Sequence, residues 1–254
     1  MVVGKEKRKK LILFVVDTSG EFNMNGRYLE TANRAMESVI SNIRTIQEKR
    51  NDIEFDIATL QFYGTIAKLR PPSHSPQNVS DYSWNDLKND DPGRDANTIV
   101  RFVESIEENV NKNRGCGANI GRAFQVLIEQ NVFDRCLSVY LPPAVVFLIS
   151  NTVISDDYRE ELEILKGKPR FNSAFKRTIT VDDDVSREKL NEITGNKNNV
   201  VVVRKPKELS ECIREIAITG ALYDSNVDEN DIRELFGEVL DEESIQRIYR
   251  NIAR

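Results

Sequence analysis

Histidine is almost missing from this chain. The single one, His74, sits in a loop rich in Pro and Ser, so a multi-histidine zinc site and a Ser-His triad elsewhere in the chain are both excluded. Cysteine is scarce as well. Cys116, Cys136 and Cys212 are odd in number and far apart, the pattern of reduced thiols rather than a disulfide framework, and this points to a cytoplasmic location. Long apolar runs are also lacking. The longest, 11–16 and 144–149, have the length of a strand, well short of the roughly 20 residues a membrane-spanning helix needs. The N-terminus carries no apolar run with a small-residue cleavage signal, so no secretory leader and no membrane partner are expected. Positive charge is in deficit too: 36 Lys and Arg stand against 41 Asp and Glu, a net charge of −5. Such a balance offers no global field to a phosphate backbone, and nucleic acid is not an expected partner. The basic tract Lys5–Lys10 reads as a solvated lead-in to the strand that follows.

What is present is enough for one substantial core plus a small appendage: 254 residues, of which 39% are hydrophobic. Short β-rich runs alternate with segments of helical period, the signature of an α/β doubly wound sheet with helices on both faces. Strands are expected near Leu11–Val16, Ile53–Phe62, Thr65–Leu69, Ala144–Ile149, Arg177–Val181 and Val200–Val203. Only Tyr63-Gly64 separates the second from the third, so the third should run antiparallel at an edge of a six-stranded, mostly parallel sheet. Helical periodicity is clear from about Tyr28 to Arg50, where Leu29, Ala32, Ala35, Met36, Val39, Ile40, Ile43 and Ile46 form one stripe. Further helices are expected over 96–111, 120–131, 160–166, 186–192 and 207–218. After Tyr223 the chain turns acidic and helical. Ile232, Leu235, Phe236, Val239 and Leu240 share one face, and Ile245, Ile248, Tyr249 and Ile252 another. This gives a main domain over 1–222 and a C-terminal helical extension over 223–254, either folded back on the domain or docked on another protein.

The chemistry gathers where the first strand stops. Leu11–Val16 ends abruptly in Asp17-Thr18-Ser19-Gly20-Glu21, which puts oxygen ligands at the carboxyl end of the sheet, where open α/β folds bind. Two later loops belong with it, Gly115-Cys116-Gly117-Ala118-Asn119-Ile120-Gly121 and the strand end Phe147-Leu148-Ile149-Ser150-Asn151-Thr152. In this order the three segments resemble the motifs of von Willebrand factor A (VWA) domains, over roughly residues 9–220. In that family, Asp-x-Ser-x-Ser, a Thr in a Gly-rich turn, and an Asp after the fourth strand surround a divalent ion at a metal-ion-dependent adhesion site. Here Glu21, Ala118 and Asn151 stand where the family has Ser, Thr and Asp. The resemblance thus implies the fold together with a degenerate metal site of Asp17, Ser19, Glu21 and Asn151. Ala118 has no oxygen to offer, and Glu21 restores charge without geometry, so no cofactor, or at most weakly held magnesium, is expected.

The resemblance is nearest to bacterial cytoplasmic VWA proteins linked to tellurite resistance and stress, on Asp17-Thr18-Ser19-Gly20 and on Phe147-Leu148-Ile149 leading to Ser155-Asp156-Asp157. It implies a protein-interaction module rather than an enzyme, in a stress or signalling complex, with Glu21, Asn119 and Asn151 facing a protein partner. The stretch 70–95 contains Tyr82 and the single tryptophan, Trp84; these either cover a sheet edge or supply a partner-contact loop, for which Trp84 is the candidate anchor. The alternative function is a divalent-metal-dependent phosphoryl-transfer or hydrolytic enzyme using Asp17 and Glu21, which would need a general base and anion donors. Three other patterns carry less. Gly115, Gly117 and Gly121 miss the dinucleotide fingerprint, because the third glycine is one position late and no strand directly precedes the turn. Cys116 lacks a sequence argument for a neighbouring histidine. Asp182-Asp183-Asp184 before a helix reads as a cap and dipole complement rather than a calcium site.

Overall fold

Ten residues, Arg8–Asp17, form strand β1, and their alternation sets the layers of the molecule. In the computed structural model, which describes residues 7–17, 27–70, 77–78, 118–134, 140–149, 154, 156–181 and 187–252, Ile12, Phe14 and Val16 enter one apolar cluster. Leu11, Leu13 and Val15 enter a second cluster on the opposite face. A strand apolar on both faces belongs at the centre of a sheet covered on both sides. β1 lies there, between β2 (Ile53–Tyr63) and β5 (Ala144–Ile149).

With β3 (Ile66–Arg70), β4 (Gln77–Asn78), β6 (Phe175–Thr180) and β7 (Val200–Val202), the strand order is β3-β2-β1-β5-β6-β7, and β4 also pairs with β2. The five strands from β2 to β7 along this order are parallel. β3 and β4 run antiparallel to β2. Gly64 adopts φ 48° in the β2–β3 turn, a left-handed value that glycine reaches without a Cβ clash. Among the described residues the sheet has seven strands rather than the expected six, the addition being the two-residue β4. β6 starts at Phe175 rather than Arg177, because Phe175 pairs with Ala144 and closes the apolar layer.

Helix α1 (Arg27–Lys49) lays its stripe from Ala32 to Ile46 on the first face. α2 (Ile120–Glu129), α3 (Arg159–Lys166) and α5 (Arg187–Thr194) cover the second face through Phe124, Leu127, Leu162, Leu165, Leu190 and Ile193. A single helical turn, α4 (Pro169–Asn172), leads into β6; proline opens it, at a position where a missing N–H costs nothing. α6 (Pro206–Leu222) packs beside α1. α7 (Glu229–Phe236) and α8 (Glu242–Ile252) follow, and their Ile232, Phe236, Ile245 and Ile248 lie in the same cluster as α1 and α6. α7 starts with a reciprocal cap, in which Asp228 accepts from the Asp231 N–H and Asp231 accepts from the Asp228 N–H, each at 2.9 Å.

Two expectations are corrected by the packing. Lys10 is no part of a solvated lead-in: it is fully buried, on the β1 face of Ile12 and Phe14. Val239 does not share the apolar face of Phe236 and Leu240, because the chain has left helix α7 by then and leaves Val239 57% exposed. The expected helix 96–111, most of the 70–95 stretch with His74, Tyr82 and Trp84, and the triplet Asp182–Asp184 lie outside the described residues.

Candidate functional site at the carboxyl end of the sheet

β1 delivers Asp17 to the carboxyl end of the sheet, opposite Phe62 of β2 and one residue beyond the Val16–Leu148 pairing with β5. The residue is completely buried. Ala118, just before α2, is also completely buried and bridges to Ile154 in the loop after β5. The turn before α2 and the chain after β5 are thus joined at backbone level. Ala118 contributes a methyl group and no side-chain oxygen. Asn119 is half-buried at the cap position of α2, and its side chain makes no capping hydrogen bond. Ser19, Glu21, Cys116 and Asn151 lie outside the described residues.

Asp156 completes the arrangement. Its Oδ2 accepts a 2.6 Å hydrogen bond from the N–H of Gly121 in the first turn of α2, and the amides of Ile120 and Arg122 also favour the charged carboxylate. Burial acts against them and outweighs them, so the carboxyl is held above its ordinary range. The contact depends on glycine: a Cβ at Gly121 would stand 2.7 Å from Asp156 Oδ2 and 3.2 Å from Tyr158 Cα. Next along the chain, Tyr158 is buried edge-on against Phe124 and donates its hydroxyl to Glu192 Oε2 at 2.8 Å. Burial and the Glu192 carboxylate push this phenol well above its ordinary range. Lys189 Nζ donates to the Ile154 carbonyl. Ile154 and residues 156–158 are in this way pinned to the start of α2 on one side and to α5 on the other. The sequence offered one signal for this role, the Ser155-Asp156-Asp157 run ahead of α3, and reading it only as a family marker missed its capping function.

Of the four expected ligands only Asp17 lies among the described residues. A hard ion needs several oxygen ligands, whereas Ala118 has none and Asp156 already receives helix amides. Among the described residues no three His, Cys, Asp or Glu side chains converge as metal ligands.

The opposite, amino end of the sheet holds an open cleft of about 740 Å³, lined by Lys49, Arg50, Asn226, Asp231, Glu234 and Leu235. Its cations face inward to backbone. Lys49 Nζ donates to the carbonyls of Glu234 (2.9 Å) and Leu235 (3.4 Å) at the end of α7, and Arg50 donates to the Ser225 carbonyl at 3.1 Å. Arg50 also pairs with Asp52, and with Arg8 it holds that carboxyl down at about 2.

No protein-family model matches the chain, and no curated protein matches it. Solved structures do. A von Willebrand factor type A protein from Catenulispora acidiphila superposes with a TM-score of 0.55 at 14% identity, over 84% of this chain and 43% of that one. The fold is of the von Willebrand factor A type. Proximal thread matrix protein 1 of the mussel byssus, solved with a zinc-occupied MIDAS motif, gives a TM-score of 0.54 at 15% identity, over 83% of this chain and 48% of that one. The pilus adhesin SpaC from Lactobacillus rhamnosus GG gives 0.50 at 11% identity, over 85% and 31%. This VWA-type chain therefore spans less than half the length of each of these structures. No described helix is long and apolar enough to cross a membrane.

Proposed function

We propose that the chain is a VWA-type protein-interaction module of a bacterial cytoplasmic stress or signalling complex, with a degenerate metal site of Asp17, Ser19, Glu21 and Asn151. The observation that supports this reading is that resident Asp156 takes the amides of α2 beside a fully buried Ala118, which has no side-chain oxygen. An acidic group from a partner would find neither an ion to complete nor free helix-start donors. Recognition then falls to the loop surface itself, with Glu21, Asn119, Asn151 and Trp84 as the contact candidates. That an adhesin and a matrix protein share the fold supports a binding role. Catalysis is not part of the proposal, because phosphoryl transfer needs anion donors and the start of α2 gives its amides to Asp156.

Affinity capture from the native host tests the reading. The immobilised chain should retain one protein partner equally well in magnesium and in EDTA, and Asn119→Arg should abolish the capture. Equal recovery by the variant, or loss in EDTA with wild type, overturns it.

A further inference from the structure

Lys10 is fully buried on β1, on the face that carries Ile12, Phe14 and Val16. Its amine donates to the Tyr223 carbonyl and lies 5.6 Å from the centre of the Tyr223 ring. Tyr223 begins the turn that carries the chain from α6 to the C-terminal helices. Two non-glycine residues of this turn, Asp224 (φ 57°) and Asn226 (φ 51°), are left-handed, and between them Ser225 is completely buried with its hydroxyl on the Leu222 carbonyl. A buried amine thus sits under the hinge through which α7 and α8 join the rest of the molecule.

We propose that Lys10 and the turn Tyr223–Asn226 form a proton-operated latch: charging the buried amine loosens the seat of α7 and α8, and discharging it tightens the seat. A neutral amine still donates one hydrogen bond to the Tyr223 carbonyl and is at ease among aliphatic side chains. An ammonium at the same place has lost its water and has three protons to satisfy. The charged groups around it only partly compensate. Asp224 in the turn favours the charge, whereas Arg8 on the same strand opposes it. From the end of α1, Arg50 is committed to Asp52 and the Ser225 carbonyl. On β2, Lys10 pairs with Phe55, so the flanking Glu54 and Asp56 project to the other face of the sheet.

Geometry and titration agree on the direction. Burial lowers the Lys10 amine from 10.5 to about 7, whereas an opened turn returns it to water and to its ordinary value. Between these two values opening takes up a proton, so it becomes easier by up to tenfold for each pH unit lost, and it levels off below about 7. Acid loosens the seat and alkali tightens it.

Hydrogen exchange of the full chain, corrected for the intrinsic pH dependence of amide exchange, reads this directly. From pH 7 to 9.5 the protection of peptides covering 229–252 should rise close to tenfold per unit. In Lys10→Met the same peptides should show no slope, and α2 should show none in either protein. A flat wild-type profile, an unchanged slope in Lys10→Met, or an equal slope in α2 overturns the proposal. Should Lys10→Met fail to fold, Asp224→Asn serves, since asparagine tolerates the left-handed turn. Removing that carboxylate should move the levelling-off point to lower pH, and an unmoved point overturns the latch.

Discussion

At the amino end of the sheet, cations turn inward and donate to backbone carbonyls; at the carboxyl end, a carboxylate turns inward and accepts from backbone amides. Lys10, Lys49 and Arg50 hold the turn after α6 and the end of α7, and Asp156 holds the start of α2. Both arrangements satisfy peptide groups left over at helix ends, with the sign of charge that suits each. They differ in what surrounds them. The amino-end ties seat two helices that bury a continuous apolar layer. The carboxyl-end tie secures the border of the loops where this fold gathers its ligands. The first end is therefore expected to answer in stability and the second in binding.

Removing everything after Tyr223 is the largest break of that comparison. Ile232, Phe236, Leu240, Ile245 and Ile248 are all buried against α1 and α6, and each contributes roughly 1.5–3 kcal/mol. Their sum rivals the whole net stability of an ordinary domain. The truncated chain should melt far below the full one in urea and aggregate on standing. Unchanged melting would show that the helices are a passenger and not part of the amino-end structure.

How much of this was legible beforehand depends on whether a residue's partner lies near it in sequence. The β1 run, the α1 stripe and the Tyr63-Gly64 hairpin announce themselves through local period and turn chemistry. Lys10 does not. As the last residue of a basic tract it reads as solvated, and only the return of α6 to β1, more than two hundred residues later, buries it. Asp156 was hidden similarly: read only as part of a family marker, it gives no local sign that its carboxylate reaches the start of α2. At the carboxyl end the motif resemblance gave Glu21, Ala118 and Asn151 only as expectations, and for Ala118 the structure adds burial and a bridge to Ile154.

The next effect in size concerns metal. Combining Glu21→Ser, Ala118→Thr and Asn151→Asp should rebuild a five-ligand pattern, with all three changes needed because ligands to one ion act together. At magnesium a hundred times its dissociation constant, the triple variant should gain about 2.7 kcal/mol over its own metal-free form. The parent should gain almost nothing at millimolar magnesium. The comparison must stay within one protein, since threonine at the closed Ala118 position costs about 1–3 kcal/mol by overpacking. Calorimetry showing no tighter binding in the triple variant would overturn the mapping of the three loops. Micromolar affinity in the parent, lost in Asp17→Ala, would show that Glu21 rebuilds the site.

Gly121→Ala should cost about 2 kcal/mol, from crowding against Asp156 and Tyr158 and from the displaced hydrogen bond. Asp156→Ala should cost about 1 kcal/mol, and the double variant little more than Gly121→Ala alone, because both remove the same contact. Strict additivity in urea melts would mean that the glycine matters for Tyr158 and not for the cap.

The smallest effect separates charge from burial at the seat of the tail. Arg247 of α8 grips Glu215 of α6 with two hydrogen bonds, at 2.6 and 3.1 Å, and Ser244 adds a third to the same carboxylate at 2.9 Å. The geometry is good, yet the Arg247 side chain is 41% exposed, and water screens a pair of that kind to about 1 kcal/mol or less. Arg247→Lys keeps the charge and loses the planar fork. It should lower stability by about 0.5 kcal/mol in 0.1 M salt, and still less in 1 M salt as screening shortens the reach of the charges. A loss above about 2 kcal/mol, insensitive to salt, would mean that this pair and not the apolar layer seats α8, and the truncation result would then have to be credited to charge.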